Sequence, residues 1–161
     1  MTNIQFRGMP TDEARALQRG GKDSNGQVAE NAVSDGVGNP CRHCMQMIGE
    51  DVPMLVVAHR PFTTVQPYAE MGPIFLHAEE CDAYEVEGNE LPPVLEDSPE
   101  YIVRGYDADE KIVYRTGKVT PQENIIARSA DLLKRNDLQF LHVRSATNNC
   151  WQARVERTQD S

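Results

Sequence analysis

The chain has 161 residues, with 16 Lys and Arg against 25 Asp and Glu, so its formal net charge is -9. This charge repels phosphate backbones and excludes nucleic acid as a general partner. No stretch approaches the roughly 20 apolar residues of a membrane helix, and the first residues lack the apolar core of a signal peptide. We therefore expect no membrane contact and a cytoplasmic location, where the four cysteines would be reduced.

The first half of the chain predicts a strand, a short helix, a loop and two buried strands. Residues 3–9 alternate apolar and polar side chains, and Pro10 with two following acidic residues favours a helix that ends at Gly20 and Gly21. About 18–40 is a polar, glycine-rich segment that we expect to be flexible, with at most one weak strand. Residues 54–59 and 74–78 are apolar runs typical of buried strands.

The second half predicts a hairpin, a long helix and two further strands. Residues 101–106 and 111–118 each alternate apolar and polar side chains, and an acidic turn joins them. Thr120 and Glu123 have the spacing of a capping box, with Pro121 at the first helical position, so the sequence predicts a helix over about 121–136. Residues 139–145 and 151–157 complete the set as strands.

These elements predict one α+β domain over residues 1–161. Strands outnumber helices, and short turns join several neighbouring strands, which favours antiparallel pairing. We expect a largely antiparallel sheet of about six or seven strands. The long helix at about 121–136 and the short N-terminal helix would pack on it.

Two cysteine-containing motifs predict a metal site. Cys41 and Cys44 form a C-x2-C pair, whose spacing lets two thiolates face one ion. His77 and Cys81 supply an imidazole and a third thiolate at the end of a predicted strand. Together they make a Cys3His set, a composition known from structural zinc sites. The alternatives are buried, inert thiols with a hydrogen-bonded histidine, and redox use of the C-x2-C pair.

A second set of residues is typical of a small enzyme. Cys150 or Cys41 with His142 would provide a thiol and a base, and Arg104 with Arg144 would bind an anion. The chain shows no nucleotide or flavin motif. The main interpretation is therefore a non-catalytic binding or structural domain with a zinc site. The alternative is a thiol-dependent or anion-binding enzyme, and a small anionic ligand or a protein is the expected partner.

The order of several short motifs resembles a known family. The motifs are Pro40-Cys41-Arg42, Pro67-Tyr68-Ala69-Glu70, Gly72-Pro73-Ile74-Phe75, Leu91-Pro92-Pro93-Val94-Leu95, Val103-Arg104-Gly105-Tyr106-Asp107 and the segment from Leu141 to Val155. Over roughly residues 4–157 the chain is similar to the domain-of-unknown-function 1203 family of small bacterial proteins. The resemblance implies one complete domain of unassigned activity, and it implies no catalytic or ligand residues.

Overall fold

Strands dominate the fold. The structure, a computed structural model, describes residues 3–85 and 90–158. In chain order the elements are β1 (Ile4–Arg7), α1 (Thr11–Gln18), β2 (Glu30–Val33), β3 (Pro53–His59), β4 (Gly72–His77), β5 (Glu100–Tyr106), β6 (Lys118–Pro121), α2 (Ile125–Leu132), β7 (Phe140–Ser145) and β8 (Trp151–Arg157). Two short 3-10 turns, Pro93–Leu95 and Gln122–Asn124, complete them.

The strands form two antiparallel sheets. The larger sheet has the order β1-β8-β7-β5-β6, and the smaller sheet has the order β2-β3-β4. In the larger sheet β5 pairs with both β6 and β7, with Tyr101 opposite Thr120 on one side and Ser145 on the other. In the smaller sheet Met54 of β3 pairs with His77 of β4. This register places the end of β4, and with it His77, beside the start of β3.

Two hydrophobic clusters stabilise the fold. One joins the larger sheet to α2, with Val103, Val143 and Ile125 among its fully buried members. The other joins α1 to the smaller sheet and includes Leu17 and Leu76. Cys41, Cys44 and Trp151 also belong to this second cluster, where α1, the smaller sheet and β8 meet.

Several predictions for the N-terminal half are confirmed. α1 begins directly after Pro10, and its buried residues Ala14 and Leu17 face the second cluster. β3 and β4 cover the two predicted apolar strands, and β2 is the one strand of the glycine-rich segment. The flexibility of that segment stays a prediction. Within residues 3–85 and 90–158 no helix is both long and apolar enough to cross a membrane.

The single sheet and the long helix are wrong predictions. The described residues contain eight strands in two sheets, and α2 spans only Ile125–Leu132. Thr120 does not cap a helix because it lies in β6, and its hydroxyl donates to the carbonyl of Lys118 instead (3.0 Å). Pro121 likewise ends β6, opposite Glu100. The helix therefore starts four residues after the predicted boundary and directly follows a 3-10 turn.

The predicted hairpin is only half correct. β5 is confirmed, but of residues 111–117 only Ile112 forms a bridge, with Tyr106. Glu110 and Arg115 have φ angles of 63° and 74°, which interrupt an extended strand. The chain forms a wide turn here, and β5 pairs with β6 beyond it.

Candidate metal centre

A tight turn at residues 41–44, the cysteine turn, presents two of the sulfurs. The amide of Met45 donates to the carbonyl of Cys41 (3.0 Å), and the amide of Cys41 donates to the carbonyl of Gln46 (2.9 Å). Met45 has a φ angle of 63°, which turns the chain back after Cys44. Both cysteines are buried, with 0% and 8% of their surface exposed. The turn thus directs two thiols into the protein interior.

Arg42 fixes the cysteine turn to both sheets. Its amide donates to the carbonyl of Phe75 in β4 (3.0 Å), and its Nε donates to the carbonyl of Trp151 in β8 (2.9 Å). Its Nη1 also donates to the carbonyl of Pro40 (2.9 Å). Burial lowers the pKa of Arg42 to about 10, so the guanidinium remains charged at neutral pH. Sequence reasoning gave Arg42 no role, since its backbone partners are not visible in a sequence.

Helix α1 holds the other pair of ligands in place. Gln18 donates from Nε2 to the carbonyls of His77 (3.0 Å) and Glu79 (3.1 Å). Arg15 donates from Nη2 to the carbonyl of Cys81 (2.6 Å). These contacts turn the chain back after β4, so that His77 and Cys81 point toward the same region. Because His77 ends a strand, such a turn is needed for both side chains to reach one point.

The four predicted ligand residues converge. One ligand atom from each of Cys41, Cys44, His77 and Cys81 lies within 4.8 Å of the other three. The sulfurs of Cys41 and Cys81 are 3.9 Å apart, and Cys44 Sγ lies 3.4 Å from His77 Nδ1. Zinc binds sulfur at about 2.3 Å and imidazole nitrogen at about 2.0 Å, so tetrahedral neighbours lie about 3.8 Å (S–S) and about 3.5 Å (S–N) apart. The observed spacings fit that geometry.

Hydrogen bonds among the thiols concentrate negative charge on one sulfur. Interactions with the thiols of Cys44 and Cys81 lower the pKa of Cys41. The same interactions raise the pKa of Cys44 and of Cys81. The Cys41 sulfur also raises the pKa of His77 through a hydrogen bond. One thiolate thus shares its charge with three neighbours, an arrangement that attracts a cation and needs one for all three sulfurs to ionise.

His43 supports the cluster from outside. Its Nδ1 lies 3.2 Å from Cys81 Sγ, and its Nε2 lies 2.9 Å from the hydroxyl oxygen of Thr11. Burial lowers the pKa of His43, which favours a neutral ring. With the proton on Nδ1 the ring donates to the sulfur, while Nε2 accepts from Thr11. Such partners orient metal ligands. Sequence reasoning overlooked His43, although its place between the two cysteines was a signal.

Comparison with known proteins identifies the family of the chain. The sequence model of the family described as "Protein of unknown function (DUF1203)" matches residues 38–157. The chain belongs to the DUF1203 family. This confirms the resemblance seen in the short motifs, and the matched segment of the DUF1203 chain contains all four residues of the Cys3His cluster. No curated protein and no solved structure matches the chain.

The residues of the alternative enzyme site make other contacts in this DUF1203 protein. Cys150 Sγ donates to the carbonyl of Asn148 (3.8 Å), and neither ring nitrogen of His142 has a hydrogen-bond partner within the described ranges. Glu70 faces Arg104 (2.9 Å) and Arg144 (3.6 Å). The protein's own carboxylate therefore offsets part of the positive charge of the predicted anion site. Cys41 lies in the Cys3His cluster instead.

Proposed function

We propose that this protein is a non-catalytic binding or structural domain whose fold is stabilised by a zinc ion held by Cys41, Cys44, His77 and Cys81. The observation that supports this most is the approach of their four ligand atoms to within 4.8 Å of one another. Three thiolates and one imidazole match the preference of zinc for soft sulfur and nitrogen donors. The bound ion would offset two of the three thiolate charges. It would also join the cysteine turn to the end of β4 and to the chain that follows β4.

The number of ligands favours a structural role. Catalytic zinc sites keep a position for water or substrate, whereas structural sites use four protein ligands. Here four protein ligands would complete a tetrahedral set, and two of them, Cys41 and Cys44, are buried. The contacts of Arg15, Gln18 and Arg42 also fix the ligand-bearing segments in place. We therefore assign the ion to the fold and not to a reaction.

Metal analysis of matched variants tests the proposal. Protein purified without chelator should contain close to one equivalent of zinc. The Cys41→Ser variant should contain little, because it lacks the fully buried sulfur of the four-ligand set. The Cys150→Ser variant is the matched control, since Cys150 lies outside the cluster, and it should retain the metal. Metal-free wild-type protein, or equal loss from both variants, would contradict the site.

A second candidate is thiol chemistry at the same cluster. It is favoured by the lowered pKa of Cys41 and by the 3.9 Å between the sulfurs of Cys41 and Cys81. A disulfide has an S–S bond of about 2.05 Å, so this pair would have to approach before it could oxidise. Thiol titration separates the two functions. A zinc site predicts thiols that react only after chelation, whereas a reactive thiol predicts rapid labelling of the protein as purified.

A further inference from the structure

A cleft of about 640 Å³ lies beside the metal cluster. It is bounded by the segment between β1 and α1, the chain following β3, and strands β7 and β8. Its walls carry apolar side chains, among them Met9, Pro61, Phe62 and Tyr84. Sites for small organic ligands typically measure about 300–1,000 Å³ and combine apolar walls with few polar groups. The cleft has the size of such a site.

Buried polar atoms without partners line this cleft. His142 is fully buried, and neither of its ring nitrogens forms a hydrogen bond within the described ranges. The same holds for Nε1 of Trp151, which is 6% exposed, and for the buried Nε of Arg60. All three residues line the cleft. Leaving a buried donor unsatisfied costs about 1–3 kcal/mol, so these atoms favour a partner that enters from the cleft.

The surroundings of His142 make it a neutral hydrogen-bonding group. Its ring packs against Tyr106 (4.8 Å between ring centroids), Phe62 (5.0 Å) and Trp151 (5.9 Å). Burial, reinforced by nearby arginines, lowers its pKa well below the usual value. A neutral imidazole has one N–H donor and one acceptor nitrogen. Together with the indole N–H of Trp151, it offers two donors for a ligand oxygen.

Of the three arginines that line the cleft, only Arg60 has no carboxylate partner among the described residues, and two exposed carboxylates, Glu13 and Glu85, line the cleft as well. Arg7 and Arg154 share the carboxylate of Glu156 (3.0 and 2.9 Å). Within residues 3–85 and 90–158 the side chain of Arg60 takes part in no ion pair. The buried Glu110 is not available as its partner, because amides and hydroxyls of Thr63 and Thr64 donate to its carboxylate. A single unpaired cation favours a ligand with a single negative charge.

We propose that this cleft binds a small monocarboxylate with an aromatic or alicyclic body. The carboxylate would accept hydrogen bonds from Arg60, Trp151 and His142. The ring would pack against Phe62 and the other apolar walls. A carboxylate matches this donor set because it has two oxygens and about four acceptor positions. The volume of the cleft also exceeds what an inorganic anion needs, so the apolar walls would contribute to binding through contact with the ring.

The fluorescence of Trp151 tests the proposal directly, because the chain contains one tryptophan. Metal-replete protein is titrated with benzoate and with cyclohexanecarboxylate, up to a few millimolar. Benzyl alcohol, benzylamine and inorganic phosphate serve as comparison compounds. We expect saturable changes with the two carboxylates and weaker or no changes with the other three. Ligand-observed NMR on the same samples detects binding that leaves the fluorescence unchanged.

Two variants decide the role of the guanidinium. Arg60→Gln should raise the Kd of benzoate by about tenfold or more, the effect of losing a charged hydrogen bond. Arg135→Gln removes an equal charge from an arginine that pairs with Asp137 and does not line the cleft, and it should leave the Kd unchanged. Metal content and far-UV circular dichroism of each variant show whether a loss of benzoate binding comes from the cleft itself or from loss of the metal or the fold.

Either of two results would overturn the proposal. If neither carboxylate binds by fluorescence or NMR while the protein is folded and metal-replete, the unpaired atoms are satisfied by water. If benzyl alcohol binds as tightly as benzoate, and Arg60→Gln binds benzoate like the wild type, the cleft recognises the ring and not the charge.

Discussion

Removing the metal should lower the free energy of unfolding by an amount that depends on the length of the loop that the metal closes. Cys41 and Cys81 lie 40 positions apart in the sequence, and an ion bound to both closes that loop. For a covalent cross-link, the loss of chain entropy in the unfolded state is worth about 4 kcal/mol at 25 °C for a loop of this length. A protein of this size changes its Tm by about 2–4 °C per kcal/mol, so chelation should lower the Tm by about 8–16 °C.

The assay is thermal unfolding by circular dichroism, with and without a high-affinity chelator, on three proteins. The wild type should show the full decrease in Tm on chelation. Cys150→Ser should show the same decrease, because Cys150 is outside the cluster. Cys41→Ser should already melt near the temperature of chelated wild type and should not respond further. If chelator leaves the Tm of the wild type unchanged, or if Cys150→Ser loses its response as well, the proposed cross-link does not exist.

Three further predictions concern the surroundings of the cluster and of the cleft. His43→Gln should weaken zinc binding by about 10–100-fold in a chelator competition while the fold is retained, since His43 orients Cys81. Gly8→Ala should lower the free energy of unfolding in urea by about 1–3 kcal/mol. A Cβ at Gly8 would clash with the carbonyl oxygen of Arg42 and would lie 2.9 Å from that of His43. Gly72→Ala is the control, because a Cβ at Gly72 meets no atom within 4 Å. Burial and the Arg42 charge lower the pKa of His59 from 6.5 to about 4. The unfolded chain therefore binds a proton that the folded chain does not, and stability should fall on acidification. The loss from this group between about pH 7.5 and about pH 5 is about 2 kcal/mol, and His59→Gln should remove that part of the pH dependence. A Gly72→Ala variant as unstable as Gly8→Ala, or an unchanged pH dependence in His59→Gln, would contradict these explanations.

The ligand set could be predicted from sequence because its chemistry is local. Cys41 with Cys44, and His77 with Cys81, each combine donors of zinc type over a few residues. That the two pairs meet depends on the bridge between Cys41 and Phe75, which lies two residues before His77. No sequence pattern predicts that bridge, because it consists of backbone hydrogen bonds. His43 was overlooked for a related reason, because its partner Thr11 lies 32 positions away.

The number of sheets and the length of α2 depended on pairings that local patterns do not encode. Thr120 and Glu123 have the spacing of a helix cap, yet pairing of Thr120 with Tyr101 places it in a strand. Strand periodicity identifies β3 and β4 but does not specify that they join β2 and form a separate sheet. The cleft combines residues from the end of β3, from β7 and from β8, so Arg60 and Trp151 could not have been linked to His142 from their sequence positions.

X-ray absorption spectroscopy at the zinc edge of the purified protein identifies the atoms bound to the metal. We expect three sulfurs at about 2.3 Å and one nitrogen at about 2.0 Å. The His77→Ala variant should lose the nitrogen contribution while the sulfur shell remains. A first shell made only of oxygen and nitrogen, or a protein that carries no zinc to measure, would contradict a Cys3His centre at Cys41, Cys44, His77 and Cys81.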